Sequence, residues 1–257
     1  MNHIPRKRFG QNFLHDHSVI NDIISSIAAR ADEHWVEIGP GMGALTGPLL
    51  KTGITLDVVE LDRDLVALLS NKFSQEARLT IHSADALNFD FSQLVKDNEK
   101  LRVIGNLPYN ISTPLMFHLL ESTSCIEDMH FMLQKEVVDR ICAAPGSKQY
   151  GRLSVMMQYY CEPELLFVVP PESFDPAPKV MSAVVKLIPH QHPPVAVRDP
   201  AQLSRLVTEA FSQRRKTLRN SLSKVLTAEQ IQSVGIDPSV RAETLALADF
   251  ARLGDLL

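Results

Sequence analysis

The sequence predicts an α/β chain: a mostly parallel sheet with helices on both faces, followed by a small α-helical domain. Three observations carry this. Short apolar, β-branched runs recur at 35–38, 56–60, 79–82, 102–105 and 129–133. Helical periods lie between several of them, at 64–73 and 114–120. Strand and helix alternating in this way places helices across a parallel sheet. After a proline-rich stretch, Pro189-His-Gln-His-Pro-Pro194, the pattern is helical throughout, which marks a linker and a second domain.

In chain order, 21–30 comes first, with apolar residues at 20, 23, 24, 27 and 28 in a helical period. The five runs above then supply five strands. Two later runs, 165–169 and 183–188, flank a proline-rich stretch and can form an antiparallel edge of the same sheet. The helical part divides into 201–211, 214–226, 228–234, 240–246 and 247–256. The expected domains are therefore 1–189 and 190–257.

Bulk properties limit the function classes. The chain has 257 residues, 45% hydrophobic and 22% charged, an ordinary globular composition. The net charge is only −4, so a nucleic-acid partner must be met by local basic patches. Cys125, Cys142 and Cys161 are widely spaced, which predicts reduced thiols in a cytosolic protein. No apolar run approaches the roughly 18 residues of a membrane span. Met1-Asn-His-Ile-Pro-Arg-Lys-Arg8 is basic without an apolar stretch behind it, so neither a secretory signal nor a mitochondrial presequence is expected.

Glu37-Ile-Gly-Pro-Gly-Met-Gly43 follows the first strand of the sheet and opens a helix. Gly39, Gly41 and Gly43 allow a sharp turn and a close ligand approach. Alone, the cluster is weak evidence, because about one such match in three is only a tight strand–helix turn. Glu60 ends the next strand, where an acid bonds ribose hydroxyls in such sheets. Asp85 ends the third, where a carboxylate can accept from an adenine amino group. The spacing is G-x-G-x-G, no Arg or Lys sits in the loop for a pyrophosphate, and the acidic rim favours a cation. S-adenosylmethionine, with ribose, adenine, sulfonium and ammonium, fits these residues. NAD, the alternative, fits them less well.

Asn106-Leu-Pro-Tyr109 ends the fourth strand. In isolation it is equally a strand end closed by a proline turn. Behind a nucleoside site it reads as a clamp for an unstacked adenine. The Asn106 side-chain oxygen and the Leu107 carbonyl can both accept from one exocyclic amino group. Pro108 sets the turn and Tyr109 stacks on the base, worth about 1–3 kcal/mol. Phe174 is a candidate second aromatic surface. Asn106 is neutral, which suits positioning and not deprotonation.

These motifs appear in order with Gly10-Gln-Asn-Phe-Leu14, Val59-Glu-Leu-Asp62 and Phe174-Asp-Pro-Ala-Pro-Lys-Val-Met-Ser182. Together they resemble the rRNA adenine N6-dimethyltransferase family over essentially the whole chain. Within it, the Phe174–Lys179 stretch and Phe211-Ser-Gln-Arg-Arg-Lys-Thr-Leu-Arg-Asn220 fit the bacterial small-subunit (16S) branch better than the 23S macrolide-resistance branch. The resemblance implies a Rossmann-like S-adenosylmethionine-dependent domain with a seven-stranded sheet. It implies dimethylation of two adjacent adenosines of 16S rRNA, within an immature 30S subunit, by a cytoplasmic monomer. Asn12 and Leu14 would close over the cofactor, Gly39 would contact its amino-acid part, and Gly41 would belong to the same cofactor site. Glu60 would hold its ribose and Asp85 its adenine, with Asn106 between cofactor and substrate. The alternatives are a non-catalytic small-subunit assembly factor and a 23S rRNA methyltransferase.

Three basic groups are candidate RNA contacts: Arg6-Lys-Arg8, Lys148 with Arg152, and Arg214, Arg215, Lys216 with Arg219. A helix through 211–225 would align Phe211, Leu218, Leu222 and Val225 in one apolar stripe with the cations on its flanks. His3, His15, His17, His190 and His192 lack metal-ligand spacing, and no metal is expected.

Overall fold

Asp16 starts the first helix because its carboxylate accepts from the Ser18 and Val19 amides at 2.9 and 3.4 Å. Val19, Ile20, Ile23 and Ile27 then fall on its buried face. The computed structural model describes residues 11–95 and 99–257. The first half runs β1 (Phe13–Leu14), α1 (His17–Ile27), β2 (His34–Ile38), α2 (Thr46–Lys51), β3 (Thr55–Glu60), α3 (Arg63–Lys72) and β4 (Leu79–Ser83). It continues through β5 (Leu101–Asn106), α4 (Ser112–Leu120), β6 (Ile126–Gln134), α5 (Lys135–Ile141) and α6 (Arg152–Tyr160). The rest comprises β7 (Cys161–Val169), β8 (Phe174–Asp175), β9 (Ser182–Pro189), α7 (Pro200–Phe211), α8 (Leu218–Ser221), α9 (Ala228–Ser233) and α10 (Leu247–Gly254).

Seven strands form one sheet in the order β4-β3-β2-β5-β6-β9-β7. The pairs β3–β4, β2–β3, β2–β5 and β5–β6 are parallel, and β9 joins β6 antiparallel. The two late runs thus form the sheet edge that their position predicts. Strand order reverses at β2 and β5, and the crevice beyond their carboxyl ends is where open α/β sheets bind ligands. A separate two-stranded ribbon pairs Phe13 with Asp175 and Leu14 with Phe174. Behind the crevice, Ile27, Trp35, Leu49, Leu56 and Val58 are buried in one apolar cluster. Each such side chain contributes about 1.5–3 kcal/mol.

The chain divides into two compact units: the described residues up to Val138 with Glu164–Pro189, and Asp139–Pro163 with His190–Leu257. The expected division at 189 assigns 139–163 to the first domain, and the structure corrects it. Within the second unit the Gln158 amide donates to the Ile141 and Ala143 carbonyls at 2.9 and 2.8 Å. The Gly146 amide donates to the Glu243 carbonyl at 2.7 Å, and the Tyr150 and Phe211 rings meet edge-on at 6.1 Å. The Gln158 bonds close the 139–163 segment on itself, and the Gly146 bond and the Tyr150–Phe211 contact tie it to the C-terminal part of the same unit.

Two expected helices are also corrected. The segment 211–225 is not one helix: α7 stops at Phe211 and α8 spans only Leu218–Ser221. The Leu218 and Arg219 amides donate to the Val240 and Pro238 carbonyls at 2.8 and 2.9 Å. Those bonds replace helical ones, and Thr217 forms a β-bridge with Arg241. The same pairing reduces 240–246 to a single 3-10 turn, Ala242–Thr244. The apolar stripe therefore does not form along a helix. Leu218 and Leu222 are buried, while Phe211 packs on the Tyr150 and Phe250 rings.

Candidate active site

The crevice begins where β2 ends. Gly39 takes φ +66°, in the left-handed region, where a side chain is strained. Its amide donates to the Val59 carbonyl at 3.0 Å, which ties the turn to β3. A Cβ on Gly39 would lie 3.8 Å from the Asn106 carbonyl oxygen and 3.9 Å from Pro108 Cδ. The glycine turn and the Asn-Leu-Pro-Tyr segment are thus neighbours in space, 67 positions apart in sequence.

Three carboxylates meet at this edge, each held differently. Glu60 accepts from the Gly41 and Asp62 amides at 3.3 and 2.9 Å, and burial raises its pKa against those bonds. Asp85 accepts from the Leu87 amide at 3.0 Å and the Asn88 side-chain amide at 2.9 Å. Glu37 is buried and accepts from Thr46 Oγ1 at 2.5 Å. Burial pushes its pKa up to about 7, and nearby Glu60 adds to the rise.

These groups wall a cavity with about 1080 Å³ of empty space, part of it open to solvent. Asn12, Leu14, Gly39, Gly41, Glu60 and Asp85 line it. Asn106, Leu107, Pro108 and Tyr109 line the same cavity. Among the described lining residues the charged ones are Glu37, Glu60 and Asp85, all acidic. This donor set fits a cationic nucleoside. It does not fit a pyrophosphate.

The Asn-Leu-Pro-Tyr segment is anchored from outside. Asn106 Nδ2 donates to the Asn12 carbonyl at 3.0 Å. A carbonyl can only accept, so the amide nitrogen must face it and Oδ1 remains as the acceptor. The Leu107 amide donates to the Met132 carbonyl at 3.2 Å. The Tyr109 hydroxyl shares a hydrogen bond with the Ser182 hydroxyl at 2.7 Å, and burial raises the phenol pKa.

Phe174 is placed elsewhere. It is 3% exposed, packed in the apolar cluster opposite Leu14 and not on the cavity wall. Its ring is core. Sequence reasoning also missed Phe13, whose ring a Cβ on Gly41 would meet at 3.1 Å. It missed Met42 and Leu61, exposed apolar residues at the cavity wall. Leu61 directly follows Glu60, and an exposed leucine after an acidic strand end was the available signal.

Two of the three basic candidate groups lie in the second unit. Arg214 Nη2 donates to the Lys148 carbonyl and sits 4.0 Å from Glu243. The 148 group and the 214 group, 66 positions apart, are therefore adjacent. Arg215, Lys216 and Arg219 are exposed. His3 and Arg6-Lys-Arg8 lie outside the described residues. Among the described residues no group of three or more His, Cys, Asp or Glu is placed to hold a metal ion. No helix among them is long and apolar enough to cross a membrane.

The mostly parallel seven-stranded sheet, with its glycine turn and acidic crevice, has the Rossmann-like architecture of S-adenosylmethionine-dependent methyltransferases. The chain belongs to the ribosomal RNA adenine dimethylase family, whose model matches residues 2–257. It is 58% identical over 255 residues to ribosomal RNA small subunit methyltransferase A of Pseudomonas aeruginosa, covering 99% of this chain and 95% of that one. The same-named protein of Acinetobacter baylyi is 57% identical over 253 residues, covering 98% and 92%. Among solved structures, a dimethyladenosine transferase from Plasmodium falciparum superposes with a TM-score of 0.77 at 23% identity, covering 94% of this chain and 95% of that one. The 23S rRNA methyltransferase ErmE superposes with a TM-score of 0.73 at 24% identity, covering 95% and 98%. These two likenesses establish the fold.

Proposed function

We propose that this chain dimethylates N6 of two adjacent adenosines in small-subunit (16S) rRNA, using S-adenosylmethionine. The observation that carries the reading is the oriented Asn106 amide. Its nitrogen is held by the Asn12 carbonyl, and its oxygen is left to accept in a residue that lines an acid-walled cavity. The relatives' shared name, ribosomal RNA small subunit methyltransferase A, supports the substrate.

An adenine amino nitrogen is a poor nucleophile because its lone pair is delocalised into the ring. Asn106 Oδ1 and the Leu107 carbonyl accept its two hydrogens and favour a pyramidal nitrogen. Tyr109 stacks on the base. Glu60 and Asp85 would hold the cofactor's ribose and adenine, and Glu37 faces its cationic end. S-adenosylmethionine, when bound, supplies a methyl group already activated on a sulfonium. Positioning by the clamp is therefore the main contribution of these residues. Asn106 does not take the proton. The methylated amine is cationic and releases it readily.

We assign the second unit to RNA contact through Arg214, Arg215, Lys216 and Arg219. Arg214 is partly committed to Lys148 and Glu243. We place the enzyme in the cytoplasm, acting as a monomer on an immature 30S subunit. The test maps N6,N6-dimethyladenosine in small-subunit rRNA from cells with and without the gene. Two adjacent sites should vanish without it, and an unchanged map overturns the reading. Asn106→Ala should lower kcat by at least about a hundredfold while the protein still folds and binds S-adenosylmethionine. Full activity in that variant removes Asn106 from the mechanism.

A further inference from the structure

The ring of Tyr109 is pinned at both ends. At the backbone end, the turn is closed by the Ile111 amide on the Pro108 carbonyl and by Ser112 Oγ on the Tyr109 carbonyl, each at 3.2 Å. At the far end, its hydroxyl meets Ser182, 73 positions away, at 2.7 Å. Ser182 is itself fixed. It opens β9, pairs in register with Gln134 of β6, and is fully buried. The neighbouring Met181 carbonyl accepts from the Lys135 amide at 2.9 Å. The β6 strand also takes the Leu107 amide on its Met132 carbonyl. Leu107 and Tyr109 are thus both tied to the same antiparallel strand pair.

A serine hydroxyl has a short reach, so it fixes the phenol oxygen to one place. A tyrosine side chain turns about only two bonds. With its backbone and its oxygen both held, the ring keeps one plane beside the cavity that it lines. Phe174, the other aromatic candidate, is in the core, so Tyr109 has no help from it in holding a base.

We propose that Ser182 is a positioning residue for methyl transfer: it holds the Tyr109 ring in the plane on which the target adenine stacks. The role rests on the reading of Tyr109 as the base platform. A freed ring samples several rotamers, and only one presents the amino nitrogen to the Asn106 oxygen. The loss should therefore appear in kcat, with cofactor binding untouched.

The experiment is a double-mutant cycle on 30S particles from cells lacking the gene, with kcat and the S-adenosylmethionine Kd measured for each variant. Ser182→Ala should lower kcat about fivefold to tenfold, the rate equivalent of one hydrogen bond, with the Kd unchanged. Tyr109→Phe removes the same bond from the other side without altering β9, and should show the same loss. The double variant should be no worse than either single one. If Ser182→Ala does not fold, Tyr109→Phe alone carries the test. Wild-type kcat in either single variant, additive losses, or a weakened Kd would each overturn the role of Ser182. An inactive wild-type enzyme on these particles would instead overturn the proposed function.

Discussion

At the scale of single residues, the site keeps a costly carboxylate. Glu37 is buried with its pKa raised to about 7, above its ordinary value of 4.5. The folded state therefore holds a proton that the unfolded chain has released between those two values. The contribution of Glu37 to stability falls as pH rises from about 4.5 to about 7, by a few kcal/mol in all, and stays lower above that. Glu37→Gln keeps an acceptor for Thr46 and removes the charge. Its Tm should exceed that of the wild type at pH 8, and the difference should vanish below pH 4.5. Its affinity for S-adenosylmethionine should fall, because the cation loses a facing charge. Calorimetry across pH with a binding titration measures both, and a lower Tm at pH 8 contradicts the account.

At the scale of elements, the amino ends of the strands are stapled by Arg102. Its guanidinium donates twice to Asp128 at 2.8 Å, to Glu33 at 2.9 Å and to the Ile27 carbonyl at 2.8 Å. It also stacks 4.2 Å from the Trp35 ring. One side chain thus joins α1, β2, β5 and β6 at the edge opposite the catalytic crevice. Arg102→Ala leaves Asp128 buried without its partner, a loss of about 3–5 kcal/mol. The melting temperature should drop sharply while the S-adenosylmethionine Kd below the transition stays as in the wild type. A changed Kd in the folded variant would show that the staple reaches the site.

At the scale of the whole molecule, a net charge of −4 leaves RNA affinity to local cations. Arg215 and Lys216 project from the turn after α7, and substituting both by Ala should weaken 30S binding most at low salt. The slope of log affinity against log salt should shrink by about one for each phosphate that is no longer neutralised. Cofactor affinity should not change. An unaltered salt slope removes this turn from the RNA interface.

Much of this was legible in the chain. The strands announced themselves because side-chain alternation and β-branching are local properties. The Gly39 turn, Glu60 and Asp85 were legible because strand ends converge on one edge of a parallel sheet. Phe174 was misread because an aromatic residue beside a motif looks the same in a core as on a platform. The expected 211–225 helix failed because Leu218 pairs with Val240, a partner that no window of sequence contains.

By itself, the sequence determined the alternation of elements, the glycine turn, the acidic strand ends and the neutral amide after the fourth strand. All of these depend on neighbours within a few residues. Tertiary structure alone decided which atom of Asn106 faces the cavity, which residue holds Tyr109, and that 139–163 joins the second unit. Each of those rests on a hydrogen bond or ring packing between segments far apart in the chain. The Asn-Leu-Pro-Tyr motif names the clamp, and the Asn12 carbonyl and the Ser182 hydroxyl aim it.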